Sequence, residues 1–404
     1  MINKSPILTV NENVKWIGVI DHDIVTFDVV METKFGTTYN AYFIDAEKKA
    51  IVETVKENFW PEYEAKLRSL TDPAEISYII MNHTEPDHSG CVEKLLTLAP
   101  DAVVVGTGNA IRYLKDLMAA PFKSLQVKDG MELDLGNKTV RFIGAPNLHW
   151  PDTMYSYLVE DQVLFTCDSF GAHYADKSMF DDLAGNWDEA FKYYFDVILK
   201  PFSKFMLKAI EKIKPLEIKV ICPSHGPILR SNWRRYVDLS EQYATEALEM
   251  PEKMRVYIPY VSAYHKTGQL AQAIAKGIES LEGLEAVVMD VEHVQLGDID
   301  MQISIASGLI VGCPTINQNI LLPIYRLFAV VNPLRDKGKL AGGFGSYGWS
   351  GEGMKIIRTN LENLKLNYTE TDVFIKFSPK DGDLHAAETY GRRFGEMLLE
   401  KETN

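Results

Sequence analysis

Cysteine is scarce in this chain: there are four in 404 residues, Cys91, Cys167, Cys222 and Cys313, and no two share a Cys-x-x-Cys spacing. That excludes a disulfide framework and a four-cysteine metal site, and it fits a reducing compartment. Long apolar runs are missing as well. No stretch approaches the roughly 18 residues of a membrane span, and Met1 to Trp16 lacks the basic and apolar regions of a secretory signal. A cytoplasmic protein with no membrane partner is expected. Positive charge is the third shortage. Against 56 acidic residues stand 42 Lys and Arg, a net charge of −14, so the mean field repels phosphate backbones and nucleic acid is excluded as a partner. Neither an internal repeat nor a low-complexity tract is present.

What is present is ordinary globular composition, 46% hydrophobic and 24% charged, in a length that suits two or three domains. The first 250 residues mix short β-rich runs with helices. Val14–Ile20, Thr37–Ile44, Ala50–Thr54, Ser77–Asn82, Ala102–Gly106, Thr139–Ile143, Val163–Cys167 and Ile218–Cys222 read as strands, and Asp188 to Lys214 as an amphipathic stretch broken near Pro201. An α+β layered core is expected there. The pattern changes around Met250-Pro251-Glu252-Lys253, which reads as a linker. After Met254 the strands Arg255–Val261, Ala286–Asp290, Gly308–Gly312, Lys339–Phe344 and Val373–Lys376 alternate with helices, the pattern of an α/β doubly wound parallel sheet. The expected domains are residues 1–250 and 254–404.

The densest chemistry lies in His83-Thr84-Glu85-Pro86-Asp87-His88, four metal-competent side chains in six residues, on a loop that Pro86 and Gly90 are expected to keep from being helical. Taken alone the hexapeptide also fits a solvated polar turn. Three other strand ends supply His149, Asp168 and His225, and in a chain with only nine histidines that convergence favours a metal site.

These residues resemble the metallo-β-lactamase superfamily, whose loop usually reads His-x-His-x-Asp-His. Here Glu85 stands where the second histidine is expected. Four imidazoles and three carboxylates around two metals suit iron or manganese better than a zinc hydrolase site. Two ferrous ions carry +4, which Glu85, Asp87, Asp168 and one hydroxide would balance at −4, a tolerable sum for a buried pocket. The resemblance implies that His83, Glu85 and His149 hold one metal, that Asp87, His88 and His225 hold the other, and that Asp168 bridges. It also implies a place for His173 behind the ligands and for Tyr193 or Tyr194 beside the substrate pocket, although an ordinary loop histidine and two buried helix aromatics account for these residues equally well.

In the second half, Ser262-Ala263-Tyr264-His265-Lys266-Thr267-Gly268 joins a strand to a helix start, a ready phosphate cradle in which Thr267 is the expected N-cap. Two further strands end at Pro314-Thr315-Ile316-Asn317 and at Gly345-Ser346-Tyr347-Gly348-Trp349, which offer hydrogen bonds and flat aromatic contact for an isoalloxazine. Together the loops resemble the FMN site of flavodoxin. Gly343, Gly345 and Gly348 also spell Gly-x-Gly-x-x-Gly, but the nicotinamide fingerprint belongs in the first βα turn and this one follows the fourth strand.

A metallo-β-lactamase-like αββα sandwich followed by a flavodoxin-like domain is the order of the flavodiiron proteins, and the resemblance covers nearly the whole chain. It implies an oxidoreductase with two nonheme Fe ions and FMN, reducing dioxygen to water or nitric oxide to nitrous oxide, as a head-to-tail homodimer or dimer of dimers. No rubredoxin or flavin reductase extension is expected after the last helix. The loops around Ser262 and Gly343 are similar to those of the methanogen branch that oxidises a reduced deazaflavin coenzyme, the donor expected here ahead of rubredoxin. The rival readings are a nitric oxide reductase fed by rubredoxin, a zinc hydrolase with a structural flavodoxin-like half, and a flavin-bearing gas sensor.

Overall fold

The computed structural model describes residues 5–27, 31–249, 252–370 and 373–403. Two compact units result: Met1–Phe27 with Thr33–Glu249, and Asp28–Glu32 with Met250–Asn404. Met250 and Pro251, half of the expected linker, lie outside the described residues.

The first unit is built on two sheets. One runs in the order Leu8–Thr9, Val14–Trp16, Tyr42–Ile44, Lys49–Val52, Ile76–Ile80, Val103–Gly106, Ser124–Gln126, and the other in the order Glu132–Asp134, Thr139–Gly144, Met154–Leu158, Val163–Cys167, Val220–Pro223. Their inner faces share one core, in which Trp16, Tyr42, Val52, Ile80 and Val105 pack with Phe142, Met154, Phe165 and Cys222. The outer face of the second sheet is covered by helices through Tyr155, Leu164, Trp187, Phe191, Met206, Ile210 and Tyr236. Alternation explains the apolar run Val163–Cys167: Val163 and Phe165 enter the core between the sheets while Leu164 enters the core under the helices, so both faces need hydrophobic side chains.

Four expectations change. Val14–Ile20 is not one strand: Val14–Trp16 belongs to the large sheet and Val19–Asp21 to a separate two-stranded one. Thr37–Ile44 is not one strand: Thr37–Tyr39 pairs with Val19–Asp21, while Tyr42–Ile44 joins the large sheet. Pro86 does not prevent a helix, because Pro86–Ser89 forms one short turn with proline at its first position, where no intrahelical N–H is needed. The stretch after Asp188 is four helical pieces, Asp188–Tyr194, a π turn Phe195–Leu199, a 3-10 turn Lys200–Phe202 at the expected break near Pro201, and Ser203–Ile213.

The second unit is the doubly wound sheet. Its strands Met254–Tyr260, Leu284–Asp290, Gly308–Gly312, Leu340–Tyr347 and the pair Asn367–Tyr368 and Phe374–Lys376 lie in the spatial order second, first, third, fourth, fifth, all parallel. That is the flavodoxin-like order, in which ligands bind outside the strand C-termini. Helices Lys266–Glu279 and Asp381–Thr403 pack on one face through Leu270, Ile274, Tyr390 and Phe394, and the opposite face is covered through Ile303, Ile324, Leu327 and Ile357. The first of these helices starts earlier than expected. Its N-cap is His265, in the left-handed region at φ 59°, and Thr267 is buried inside the first turn.

Candidate metal centre and flavin cavity

The metal-competent residues come from strand ends and connections of both sheets. His83 follows strand Ile76–Ile80, Asp168 follows Val163–Cys167, His225 follows Val220–Pro223, and His149 lies in the connection between Thr139–Gly144 and Met154–Leu158. A register shift between Phe165 and Cys167, with Cys167 at φ 51°, ends the ladder and turns Asp168 out of it.

The geometry divides around the two oxygens of Asp168. On one side Asp168 Oδ2 lies 3.5 Å from His149 Nε2 and 3.8 Å from His83 Nε2, and both rings approach Glu85 Oε2, at 3.0 and 3.2 Å. On the other side Asp168 Oδ1 lies 3.3 Å from His88 Nε2 and 3.5 Å from His225 Nε2, and these rings approach Asp87 at 3.4 and 3.2 Å. Every imidazole turns Nε2 inward. Apart from His149, whose side chain is 19% exposed, the cluster is buried.

Electrostatics make this a cation site. Both oxygens of Asp87 and of Asp168 are buried without a hydrogen-bond partner, an arrangement that is costly unless a cation compensates. Burial opposes protonation of His83, yet the carboxylates of Asp152 and Glu85 outweigh it and push its pKa up to about 10. Burial likewise opposes protonation of His88, and Asp87 and Asp168 overcome it and hold that ring well above the ordinary histidine range. Asp168 itself falls well below the usual carboxylate range, because the charge of His88 outweighs desolvation. The four residues His83, Glu85, His88 and Asp168 each bring one donor atom within 4.8 Å of the others, and so do Asp87, His88 and His225. With imidazole nitrogens and carboxylate oxygens as the only donors, the set fits two first-row metal ions.

A layer of partners that the sequence reading passed over fixes the rings. Asp152 faces His83 Nδ1 at 3.2 Å and accepts the Thr84 N–H and hydroxyl, each at 2.8 Å. The Thr38 carbonyl accepts from His225 Nδ1 at 2.6 Å. Glu53 lies 3.4 Å from His88 Nδ1. A carboxylate or carbonyl on Nδ1 leaves Nε2 free to ligate. Asp152 had a signal in its place three residues after His149. Glu53 had none, since it reads as part of a strand.

The pocket candidates separate. Tyr194 is buried with its ring 4.9 Å from His173, and His173 stacks on Phe27 at 4.4 Å and lies 5.0 Å from His225. Thr37 Oγ1 meets His173 Nδ1 at 2.8 Å, while Nε2 is buried without a partner. Burial and the nearby His225 hold this ring well below the ordinary histidine value, so it is neutral. Tyr193 is half-buried on the same helix as Tyr194.

In the second unit the three expected loops enclose a cavity of about 310 Å³, in the range of small-molecule sites. Ser262, Ala263, Tyr264, Lys266, Thr267, Pro314, Thr315, Ile316, Asn317, Ser346, Tyr347, Gly348 and Trp349 line it, with Gln318, Ser350 and Phe377 in addition. His265 and Gly345 do not: His265 is exposed at the helix start, and Gly345 packs against the Cys313 backbone. The loops are tied together. Thr315 N donates to the Ser346 carbonyl at 2.8 Å, and Gly353 N donates to Thr315 Oγ1 at 3.2 Å. Hydroxyls at the start of a 14-residue helix suit a phosphate, and the exposed rings of Tyr264 and Trp349 suit a flat heterocycle, so the cavity fits FMN.

A buried acid–imidazole cluster in an αββα sandwich, followed by a flavodoxin-like half with a loop cavity, defines a two-domain metalloflavoprotein. Comparisons with known proteins narrow this. The family model described as ODP family beta lactamase matches residues 37–226, and that of flavodoxin matches 258–390. The chain is 37% identical to the type A flavoprotein fprA of Rhodobacter capsulatus over 97% of its own length and 91% of the relative's. It is 35% identical to the flavo-diiron protein FprA2 of Clostridium acetobutylicum (97% and 100%) and 34% identical to a nitric oxide reductase of Moorella thermoacetica (97% and 99%). Among solved structures, the rubredoxin oxygen:oxidoreductase of Desulfovibrio gigas superposes with a TM-score of 0.76 at 28% identity, over 99% of this chain and 100% of that one. The chain belongs to the flavodiiron family, the A-type flavoproteins. It is an oxidoreductase, of a family whose members carry FMN and a nonheme di-iron site and act as oxygen or nitric oxide reductases. The zinc-hydrolase reading is set aside with that membership. Among the described residues no helix is long and apolar enough to cross a membrane.

Proposed function

We propose that this chain reduces dioxygen to water at a nonheme di-iron centre in residues 1–250, with electrons relayed through FMN bound in residues 254–404. The division of ligands around Asp168 carries this reading: each of its oxygens faces two imidazoles, and each group includes one further carboxylate. In this assignment His83, Glu85 and His149 would hold one iron, Asp87, His88 and His225 the other, and Asp168 would serve both. When bound, two irons and FMN together supply the four electrons needed to take dioxygen to two waters. The residues do the rest. Asp152, Glu53 and the Thr38 carbonyl orient three of the imidazoles, and Phe27, Tyr194 and the neutral His173 pack as buried rings beside His225.

For the electron donor we propose a reduced deazaflavin coenzyme. The support is the likeness of the Ser262–Gly268 and Gly343–Trp349 loops to those of the methanogen branch that oxidises such a coenzyme. The second reading, a nitric oxide reductase fed by rubredoxin, is supported by the Moorella relative's name. We also propose that the family's head-to-tail dimer forms and supplies the contact between flavin and metal centre.

The test is a full-length sample with iron, zinc and FMN quantified per chain, reduced without oxygen and then exposed to each gas. Reoxidation by dioxygen without released peroxide is expected, and failure with both gases would remove the proposal. Stopped-flow mixing decides the donor: FMN bleaching by the reduced deazaflavin is expected, and bleaching by reduced rubredoxin alone would reverse the order. Light scattering that found a fully active monomer would overturn the dimer.

A further inference from the structure

Trp150 stands between two residues already placed at the metal cluster, His149 before it and Asp152 two positions after, yet it takes no part in the ligand set. Its carbonyl accepts the N–H of Asn147 at 2.8 Å and of Thr153 at 3.3 Å, which fixes the turn that carries the ring. The half-buried indole meets the His83 ring edge-on at 5.0 Å between centroids and the His149 ring at 6.3 Å. A further neighbour is the half-buried phenol ring of Tyr113, 6.4 Å from the indole and also edge-on, at 84°. All three separations fall within the contact range of aromatic pairs.

Tyr113 is held in that place by the start of its helix, Gly108–Leu117. Thr107 Oγ1 accepts the Ala110 N–H as N-cap at 3.1 Å and donates to the Asp152 carbonyl at 2.9 Å, and Asn109 Nδ2 donates to the Pro151 carbonyl at 3.1 Å. The helix is therefore tied to the two residues that follow Trp150. Burial falls along the series, from His83 at 0% through Trp150 and Tyr113 to the exposed Arg112, whose guanidinium lies 5.3 Å from the centre of the Tyr113 ring. Indole and phenol are the side-chain rings most easily oxidised by one electron, and they yield it only to a strong oxidant. Two such rings in contact, starting at an imidazole of the metal cluster and ending near solvent, form a path by which an oxidising equivalent can leave the centre. Tyr194 and Tyr39 also lie near the cluster, 6.1 and 6.0 Å from His225, but both are buried, and the rings described around them belong to histidine and phenylalanine, which resist oxidation.

We propose that Trp150 and Tyr113 form a protective relay that drains an unspent oxidising equivalent from the metal centre to a soluble thiol. The proposal rests on the di-iron, dioxygen-reducing reading made above. Taking dioxygen to two waters needs four electrons, and two ferrous ions supply only two of them, so a chain that meets dioxygen while its FMN is oxidised is left short. Trp150 then yields one electron to the centre and becomes an indole radical cation. Tyr113 gives one electron to Trp150 and releases its phenolic proton to water, leaving a neutral tyrosyl radical, so no positive charge builds beside Arg112. A thiol gives that radical a hydrogen atom and restores the phenol, and two thiyl radicals couple to a disulfide. Each passage removes one oxidising equivalent from the centre and consumes one thiol. Reduced FMN is a far better reductant than either ring, so the relay is silent while the flavin holds electrons.

The test uses the full-length protein loaded with ferrous iron and oxidised FMN, as wild type, Trp150→Phe and Tyr113→Phe, with iron and FMN per chain confirmed in each. Samples are mixed with excess dioxygen in the absence of thiol and freeze-quenched. The organic radical is read by electron paramagnetic resonance, and ring-deuterated tyrosine or tryptophan assigns it. A tyrosyl signal is expected in wild type, an indole-centred signal in Tyr113→Phe, and loss of both in Trp150→Phe. Peptide mass spectrometry after repeated exposure is expected to find more oxygen added to the segment His83–His88 in either variant than in wild type, with added thiol lowering it in wild type alone. Should Trp150→Phe lose its iron, Tyr113→Phe decides by the shift of the signal from tyrosine to tryptophan. A wild type that consumes dioxygen without an organic radical, or a radical unchanged by both substitutions, overturns the relay and leaves the di-iron reading standing. A wild type that holds no iron, or whose iron does not react with dioxygen, overturns both.

Discussion

Replacing Gly345 by alanine tests whether the flavin loops are placed by the strands beneath them. A Cβ at this position would lie 2.1 Å from the carbonyl oxygen of Cys313, and ordinary contact begins at 3.4 Å, so the chains must part by the difference, about 1.3 Å. The obstacle is backbone, with no flexible side chain to yield. Nor can the strand Leu340–Tyr347 move easily, since it is paired on both sides and Gly345 N donates to Val373 at 3.0 Å. Overpacking of this kind costs about 1–3 kcal/mol. At roughly 2–4 °C per kcal/mol for a domain of this size, the unfolding midpoint of the flavodoxin-like half should fall by about 2–12 °C. The displacement passes to Ser346, whose carbonyl fixes Thr315, so FMN affinity should fall too. Gly348→Ala is the contrast. Its Cβ would meet only the Phe377 ring, at 3.3 Å, and that ring is 62% exposed and free to swing, so FMN binding should weaken with no change in midpoint. Calorimetry of the FMN-free full-length chain and flavin fluorescence titration read the two effects separately. A Gly345→Ala protein with a wild-type midpoint, or two variants that behave alike, would refute the reasoning.

Three other outcomes are expected. Asp168→Ala removes the carboxylate assigned to both metals and should drop iron from two per chain to below one with FMN unaffected; elemental analysis that still finds two would remove the bridging role. Glu85→His restores the imidazole of a hydrolase-like loop and should lower the iron-to-zinc ratio of protein made with both metals present, and an unchanged ratio would break the link between Glu85 and iron. Asp336 is buried between Arg335 and Lys339, at 2.8 and 3.0 Å, and although desolvation raises its pKa, the Arg335 hydrogen bond and the Lys339 charge leave it below the usual carboxylate range. Its stabilisation is therefore complete above the unfolded value of about 3.9 and is lost as the pH falls through the lower folded value. Asp336→Asn leaves Arg335 paired with Asp300 at 2.8 Å, so it should cost about 1.5–3 kcal/mol at pH 7 and remove that acid limb from denaturant titrations, and an unaltered limb in the variant would assign it to other groups.

The doubly wound half was legible because its strands are buried on both faces and separated by amphipathic helices, so Gly308–Gly312 reads directly as an apolar run between Ser307 and the Pro314 turn. The sandwich was harder. Thr37–Ile44 has one continuous β-like texture, and only the tertiary pairing separates Thr37–Tyr39 from Tyr42–Ile44, with Asn40 between them bonded through its side chain to the Pro223 and Gly226 carbonyls. Boundaries near proline misled for a related reason. Proline forbids a helix interior but favours a helix start, and Pro86 occupies the start.

The candidate site was legible to the depth at which residue type alone implies chemistry. Histidines and acids crowded within six positions advertise a metal whatever the fold does, so His83, Glu85, Asp87 and His88 stand out in the primary structure, and His149, Asp168 and His225 join them only as metal-competent residues at other strand ends. The groups that orient them do not, because their role is a matter of direction. The Thr38 carbonyl is a backbone atom that any residue would supply, and Glu53 reads as the end of a strand until its left-handed φ turns the carboxylate back toward His88. Gly345 fails in the opposite sense: its place in a glycine-rich loop suggests contact with cofactor, while the distance to Cys313 gives it to strand packing. What the sequence leaves hidden is therefore the layer that decides how firmly each ligand is held, and in this fold that layer is drawn from residues whose identity carries no chemical signal until two sheets bring them behind the imidazoles.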